Sequence, residues 1–310
     1  ITLEEMFSKN KFLLKKFLKS FKKNKIEKLI DKLFFNQVCI DIGASYFPHP
    51  NWNFFINKKE TNWVAIDPNA YNLNYCDNWK FLSKVNKEPV ALSSSGGKKI
   101  LYKTATDSGS SLLEFISSNN NNNRINESYF FPIKKIKIDT VTVNKILKKY
   151  VINDLTPVML KLDIQSYELE LLKSIEKKFI KNNILCVETE YTLLTDPYNL
   201  GVKTFDHLIS FMFTNNFELV RLDPFQINLP KINSKIKTDY SLNEADFVFL
   251  LKHSEIIKRD INQCFTMLGI YFSYNLFSEI YSLSLEILKN KKLDLNQKRI
   301  IGEIIKILKP

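Results

Sequence analysis

Two periodicities of apolar residues alternate along residues 36–252. Short continuous apolar runs, typical of strands covered on both faces of a sheet, are separated by stretches in which apolar residues recur at helical spacing. The runs predict strands at 37–42, 62–67, 88–92, 157–163 and 184–189. The intervening helical patterns lie at 52–58, 140–150 and 166–180. This alternation predicts an α/β domain with a mostly parallel sheet and helices on both faces.

The alternation ends with two strands that have no helical pattern between them. A predicted helix at 203–215 is followed by strands at 217–222 and 246–251. An insert over residues 98–138 separates the third and fourth strands. The insert contains predicted strands at 99–103 and 133–138, and an asparagine run at 117–123 that predicts a mobile loop.

Helical patterns flank this region at both ends. Residues 3–34 carry apolar residues at helical spacing, with a break predicted near Asn24, and residues 254–310 predict two to four helices. The sequence therefore divides into a basic N-terminal helical segment, a central α/β domain and a C-terminal helical extension. Their bounds are 1–35, 36–252 and 253–310.

Positive charge is concentrated in the N-terminal segment. Residues 1–34 hold ten lysines against four acids, whereas the whole 310-residue chain has a net charge of +12. A basic amphipathic helix can lie on a membrane surface, or it can pack on its own protein with its lysines in water. Both alternatives stay open, and the first would give peripheral contact with the inner face of a membrane.

The cysteines and histidines indicate a reduced protein without a zinc site. The four cysteines form no CxxC pair, and two of them lie in predicted strands, which suits buried thiols in a cytoplasmic protein. The three histidines are not clustered with them. No apolar run approaches the roughly 18 residues of a membrane span, and the lysine-rich start does not resemble a signal peptide.

Acidic residues follow the predicted strands. Asp41, Asp67 and Asp163 end the first, second and fourth strands, and Glu188 and Glu190 end the fifth. In an open α/β sheet, ligands bind outside the carboxyl ends of the strands. Because the converging carboxylates repel one another, this crevice predicts a ligand that is cationic or rich in hydroxyl groups.

The residues around Asp41 narrow the class of ligand further. Gly43-Ala44-Ser45 would let a ligand approach the backbone closely, but the GxGxxG fingerprint of dinucleotide sites is absent, which disfavours a dehydrogenase. Asp41 would repel a phosphate, whereas Asp67 is placed to accept hydrogen bonds from ribose hydroxyls. A phosphate-free nucleoside with a positive sulfur fits this pattern, and S-adenosylmethionine is such a molecule.

Several blocks occur together in one order: VCIDIGA, WVAIDPNA, EPVALSSSGG, SGSSLL, IKIDTVTVNKIL, VMLKLDIQSYELELLKSI and ILCVETE. In this order they resemble the FkbM-type S-adenosylmethionine-dependent methyltransferases over roughly residues 36–250. LKLDIQSYELELLKS is similar to the family's Lys-x-Asp-x-Glu-Gly-x-Glu motif. The resemblance implies a class I methyltransferase, Rossmann-like fold with a seven-stranded, mostly parallel sheet whose final strand is antiparallel.

The resemblance also implies roles for individual residues. Asp41, Gly43 and Ala44, with Ser45 beside them, would line the methionine part of the cofactor, and Asp67 would hold the ribose. Pro68 and Asn69 would lie beside Asp67, and Ala91 and Leu92 beside the adenine. Asp163 would lie beside the transferring methyl group, Glu168 matches the second acid of the motif, and Glu188 matches the acid of the fifth strand.

Two departures from the family pattern bear on this interpretation. The family has a second glycine within a few residues of Gly43, where this chain reads ASYFPHPNW. The Glu-Gly of the fourth-strand motif is Gln165-Ser166. These changes favour a rival hypothesis, in which a catalytically degenerate methyltransferase fold serves as a binding or scaffold module.

Methyl transfer requires an aligned nucleophile and a group that removes a proton from a hydroxyl. We predict Asp163 as the general base or orienting group, with Glu188 and Glu168 as further catalytic candidates. Capping of the following helix is the structural alternative for Asp163, and His49 is an alternative base. Mg²⁺ held by Asp163, Glu188 and Glu190 is an open alternative rather than a prediction.

The acceptor is predicted to be a hydroxyl oxygen of a sugar, a glycan or a small metabolite. Base-methylating enzymes commonly place Asp/Asn-Pro-Pro-aromatic after the fourth strand, where this chain reads DIQS, which disfavours nucleic acid as a partner. The terminal helices would cap the substrate site or form a homo-oligomer interface, and the sequence does not choose between these two roles.

Overall fold

The computed structural model describes two compact units. The described residues are 20–33, 36–45, 50–74, 76, 84–106, 109–114, 132–192, 205–228 and 240–309. One unit spans residues 36–255, and the other is drawn from residues 1–35 and 256–310. The described parts of the two terminal segments therefore belong to a single helical unit. Residues 3–19, His49 and the asparagine run lie outside the described residues.

Ten strands occur in the described part of residues 36–255. They are β1 (Val38–Ile42), β2 (Asn62–Ile66), β3 (Lys84–Glu88), β4 (Ala91–Leu92), β5 (Gly97–Thr104), β6 (Pro132–Val141), β7 (Val158–Leu162), β8 (Ile184–Thr192), β9 (Phe217–Asn228) and β10 (Tyr240–Leu251). Seven of them form one sheet in the order β3-β2-β1-β7-β8-β10-β9. The first five strands of this order are parallel, and β10 is antiparallel to both β8 and β9. The predicted mostly parallel α/β sheet is confirmed.

The centre of this sheet is apolar because both of its faces are covered. All five residues of β1 are buried, and so are four of the five residues of β7. The two strands pair in parallel, with Asp41 opposite Lys161. A carboxylate and an ammonium group therefore lie side by side in the middle of an otherwise apolar layer.

The third strand was predicted wrongly. The apolar run at 88–92 was assigned to it, but the strand beside β2 is β3, with the sequence KVNKE. β3 lies at an edge of the sheet and is partly exposed, so polar residues and lysine suit it. Ala91 and Leu92 are buried instead in a second sheet, where β4 pairs in parallel with β6 and β5 pairs antiparallel with β6.

The helices largely follow the predicted spacing. They are α1 (residues 20–30), α2 (Asn53–Ile56), α3 (Ala70–Asn74), α4 (Val143–Tyr150), α5 (Glu168–Lys173), α6 (Lys177–Asn182), α7 (Phe205–Thr214), α8 (His253–Ile256), α9 (Ile261–Ser273), α10 (Phe277–Asn290) and α11 (Leu295–Leu308). The single helix predicted at 166–180 is two helices, and α3 was not predicted. α4 begins at Val143 because the Thr142 side chain accepts a hydrogen bond from the Lys145 amide.

The helical unit has its own apolar core. α9 buries ten consecutive residues, from Gln263 to Phe272, and Ile26 and Ile30 of α1 are also buried. The predicted break near Asn24 is wrong, since α1 is continuous through that residue. In the part of the chain that the structure describes, we found no helix with the length and hydropathy required to cross a membrane.

Candidate functional site

A cavity of about 350 Å³ lies at the carboxyl ends of β1, β2 and β7. Its position matches the crevice that was predicted from the acidic residues at the strand ends. Its lining includes eight of the residues singled out in the sequence: Gly43, Ser45, Asp67, Pro68, Asn69, Ala91, Leu92 and Asp163. The volume is at the lower end of the roughly 300–1,000 Å³ found for small-molecule sites.

Four other predicted site residues are absent from the lining of this cavity: Asp41, Ala44, Glu168 and Glu188. All four are buried, and the three acids among them are only 1% exposed. Their contacts with other residues therefore indicate how they affect the site.

Gly43 allows the ends of β1 and β7 to approach each other. Its φ is +81°, in the left-handed region, and a Cβ atom added there would lie 1.9 Å from the carbonyl oxygen of Asp163. The Gly43 amide donates to the Ile66 carbonyl at 2.9 Å, and the Asp163 amide donates to the Ile42 carbonyl at 3.0 Å. Gly43 was predicted to allow the close approach of a ligand. The backbone of Asp163 already requires a glycine at this position, because a Cβ atom would collide with it.

Asp67 is held in place by the residues that follow it. Its Oδ1 accepts hydrogen bonds from the Asn69 amide at 2.7 Å and from Asn72 Nδ2 at 3.3 Å. The side chain is buried in the lining of the cavity, just after β2. The local contacts therefore fix a carboxylate at the position where the sequence predicted a ribose contact.

Lys161 is a residue that the sequence reasoning missed. Its Nζ lies 3.1 Å from Oδ2 of Asp163 and 3.9 Å from Oδ1 of Asp41. Burial alone would lower the pKa of Lys161, but the carboxylates of Asp163, Asp41 and Glu188 outweigh burial and raise it. A partly buried cation thus balances acids that were expected to repel one another. The signal was a lysine inside the apolar run VMLKLD.

A tight turn follows β7 and presents Asp163 to the cavity. Gln165 and Ser166 have φ values of +55° and +72°, both in the left-handed region. The Gln165 carbonyl accepts a hydrogen bond from Ser111 Oγ at 2.8 Å, and the Ile164 amide donates to Glu168 Oε1 at 2.8 Å. Glu168, which was predicted as a catalytic residue, therefore holds the turn through the Ile164 amide.

Glu188 lies inside β8, opposite Lys161 in the pairing of β7 and β8, and not at the end of the strand as predicted. Its Oε2 accepts a hydrogen bond from Trp52 Nε1 at 3.1 Å, and Trp52 is fully buried. The alternative of Mg²⁺ held by Asp163, Glu188 and Glu190 finds no support in the described residues, where no three or more acids, histidines or cysteines are grouped as metal ligands.

The second sheet forms a wall of the cavity that the sequence did not predict. Alternate residues of β5 and β6 line it: Leu101, Lys103, Ile136 and Ile138. Ser110, Ser111 and Leu112 follow β5 and also line it. Tyr167 adds another side, with its hydroxyl 2.9 Å from Ser94 Oγ. Strands were predicted at 99–103 and 133–138, but only the sheet pairing shows which of their residues share a face.

The sheet defines an α/β protein with a cavity at the strand ends, and comparison with known proteins gives the family. The model of the methyltransferase FkbM domain matches residues 41–219. The chain belongs to this family, which confirms the resemblance and supports a methyltransferase function.

Two solved structures similar to this chain are also methyltransferases by description. Precorrin-6y C5,15-methyltransferase from Geobacter metallireducens is 10% identical, with a TM-score of 0.32 over 74% of this chain and 87% of that one. A "putative RNA methyltransferase" from Pyrococcus horikoshii is also 10% identical, with a TM-score of 0.28 over 74% and 84% of the two chains. A search of curated proteins gave no match.

Proposed function

We propose that this protein is an S-adenosylmethionine-dependent methyltransferase that methylates a hydroxyl group of a sugar, a glycan or a small metabolite. One observation carries the proposal. In a chain of the methyltransferase FkbM family, a single cavity brings together Gly43, Asp67 and Asp163 from the ends of three neighbouring strands. The order of the seven strands, with β10 antiparallel, supports a class I methyltransferase topology.

The residues of the cavity fit the parts of this cofactor. Asp67, held by Asn69 and Asn72, is placed to accept hydrogen bonds from the ribose hydroxyls. Ala91 and Leu92 offer an apolar surface for the adenine. The backbone of Gly43 and Ser45 lies where the methionine part would bind.

When bound, S-adenosylmethionine supplies a methyl group to the acceptor oxygen, whose lone pair forms the new C–O bond while the electrons of the broken C–S bond stay on sulfur. Asp163 is the acid of β7 that lines the cavity. We assign it the role of accepting a hydrogen bond from the acceptor hydroxyl and receiving its proton. Lys161, 3.1 Å from Oδ2, orients this carboxylate.

Glu168 and Glu188 act as positioning residues in this proposal. Glu168 holds the Ile164 amide and so fixes the turn that presents Asp163. Glu188 contacts Trp52 and adds negative charge near Lys161. Asp41 contributes in the same way, from a buried position 3.9 Å from the Lys161 ammonium.

The test is calorimetric titration of S-adenosylmethionine and S-adenosylhomocysteine into the wild type, Asp67→Asn and Asp154→Asn. Asp154 is an exposed acid of the same unit and is absent from the cavity lining. We expect binding in the wild type and in Asp154→Asn, and a loss of roughly tenfold or more in Asp67→Asn, because hydrogen bonds to a charged group are worth about 1.5–3 kcal/mol. A folded wild type that binds neither compound would support the scaffold hypothesis instead.

A further inference from the structure

The positive charge of the chain is concentrated in the helical unit. Residues 1–35 and 256–310, from which this unit is drawn, hold 19 lysines and arginines against 9 acids. Residues 36–255 hold 26 against 24. The helical unit therefore carries +10 of the chain's net charge of +12. A lysine-rich composition alone would spread the charge over both units, so the helical unit is the one suited to an anionic partner.

The helix α1 packs with one face and exposes the other. Ile26 and Ile30 are buried in the core of the helical unit. Phe21, Lys25 and Lys28 follow each other at four and three residues, so they share a face of the helix, and all three are exposed. The Phe21 side chain is 60% exposed. The protein thus covers the apolar face of α1 and leaves outside a basic face that includes an aromatic ring.

The helix α11 extends this surface. Lys25 Nζ lies 4.0 Å from Glu303 Oε2, and the two side chains are 51% and 43% exposed. Arg299 and Lys306 lie four residues before and three residues after Glu303, which places them on its side of α11, and both are exposed. Arg299 donates to the neutral side chain of Asn296 at 3.0 Å. We call this surface the basic face, and it consists of Phe21, Lys25, Lys28, Arg299 and Lys306.

Apolar side chains stand among these charges. Phe21 shares its face of α1 with two lysines, and Leu295, one turn before Arg299 in α11, is 86% exposed. A nucleic acid would bind the cationic groups but would give Leu295 no apolar environment. At a membrane surface, lysine and arginine contact anionic headgroups while phenylalanine and leucine enter the boundary with the acyl chains. A lipid surface therefore fits both kinds of side chain.

We propose that the basic face binds the surface of a membrane that contains anionic lipids. Its cationic side chains contact the headgroups, and Phe21 and Leu295 enter the acyl boundary. Both alternatives for the N-terminal segment then apply, because α1 packs on its own protein and turns its lysines outward. The inference is independent of the proposed function, since the residues that line the cavity all fall within residues 36–255.

The experiment measures flotation of the full chain with two kinds of vesicle. One is phosphatidylcholine alone, and the other has two parts of phosphatidylcholine to one part of phosphatidylserine. The variants are Lys28→Gln/Lys306→Gln and Phe21→Ser. Lys98→Gln/Lys137→Gln is the matched control, because it removes the same charge from exposed lysines of the other unit. Thermal unfolding shows that each variant is folded, and an oligouridine RNA is titrated in parallel.

We expect the wild type and the control to float with the mixed vesicles and not with phosphatidylcholine alone. Lys28→Gln/Lys306→Gln should bind roughly 25-fold more weakly, because each lysine near an anionic surface contributes about a factor of five. Phe21→Ser should weaken binding about fivefold, since the ring leaves water when it enters the membrane. Added salt should release the protein, because it screens the exposed charges.

A wild type that does not float with the mixed vesicles would overturn the proposal. An equal loss in Lys98→Gln/Lys137→Gln would overturn it as well, since net charge rather than the basic face would then attract the protein. RNA binding, together with vesicle binding that Phe21→Ser leaves unchanged, would show a surface for polyanions in general and not for lipid.

Discussion

Lys161 reduces the electrostatic repulsion between the acidic side chains of this site. The carboxylates at the strand ends predicted a ligand that is cationic or rich in hydroxyl groups, but two of them already lie beside a cationic side chain of β7. Its ammonium group lies near both Asp41 and Asp163, and the side chain is 14% exposed. The motif LKLD contains this lysine, so the sequence could have indicated it. Only the strand register, which sets Lys161 opposite Asp41, shows that the two charged side chains are neighbours.

Replacing Lys161 by Met should strongly destabilise the fold. Removing Lys161 leaves the charge of Asp41, which is 1% exposed, without this nearby cation, and breaking a buried ion pair costs at most about 3–5 kcal/mol. Urea unfolding followed by circular dichroism measures the change. The control Lys137→Met alters an exposed lysine and should change the free energy of unfolding by less than about 0.5 kcal/mol. The double variant Lys161→Met/Asp163→Asn should recover part of the loss, and equal stability of wild type and Lys161→Met would contradict the ion-pair account.

The pKa of Lys161 sets the pH range of this stabilisation. The pKa is raised in the folded state, above the ordinary value of about 10.4. The contribution is therefore fully present below about pH 10 and is lost only as the pH rises through the folded-state pKa. The difference in unfolding free energy between wild type and Lys161→Met should stay constant from about pH 7 to about pH 9. A steady decline over that range would show that another group titrates.

Gly43→Ala should be severely destabilising for two reasons. The new Cβ would lie 1.9 Å from a backbone oxygen, and the residue would keep a positive φ. Overpacking costs about 1–3 kcal/mol, and the left-handed region adds about 1–2 kcal/mol for a residue with a Cβ. Gly302→Ala is the matched control, because a Cβ there would meet nothing within 4 Å inside α11. It should raise the melting temperature slightly, since alanine favours helix.

At the scale of elements, the buried strands were predictable and the exposed one was not. β1, β2 and β7 lie within a residue or two of their predicted bounds, because continuous apolar runs mark strands covered on both faces. β3 carries the polar sequence KVNKE at a sheet edge and leaves no such signal. The third strand was assigned instead to the neighbouring apolar residues Val90-Ala91-Leu92. Ala91 and Leu92 belong to the second sheet, which lines the cavity.

The turn after β7 has Ser166 in the left-handed region, at the position where the resemblance to the family motif implies a glycine. Ser166 adopts a φ of +72°, which costs about 1–2 kcal/mol for a residue with a Cβ. Ser166→Gly removes this cost. It also raises the conformational entropy of the unfolded chain, which lowers the free energy of unfolding by about 0.5–1 kcal/mol. We therefore expect the free energy of unfolding, measured by thermal or urea unfolding, to rise by between zero and about 1.5 kcal/mol. Ser166→Val should be clearly destabilising, because a β-branched residue is a genuine outlier at positive φ. A Val variant as stable as the wild type would show that the turn rearranges easily.

At the scale of the whole molecule, the site and the terminal helices belong to different units. The lining residues of the cavity all fall within residues 36–255, whereas α9, α10 and α11 form a unit with α1. The sequence predicted both helical ends but not that they group together, because long-range contacts of this kind have no local signature. Each unit has its own buried core, so we expect each unit to unfold with its own free energy.

Hydrogen exchange with S-adenosylhomocysteine tests this division. A ligand at 100 times its Kd stabilises the unit that binds it by about 2.7 kcal/mol, which slows exchange through unfolding of that unit about a hundredfold. We expect this slowing in β1, β2 and β7 and no change in α9, α10 or α11. Asp67→Asn, which weakens the proposed ribose contact, should remove the effect from the strands. Equal slowing in the strands and the terminal helices would show that the two units unfold together, and the chain would then have one stability rather than two.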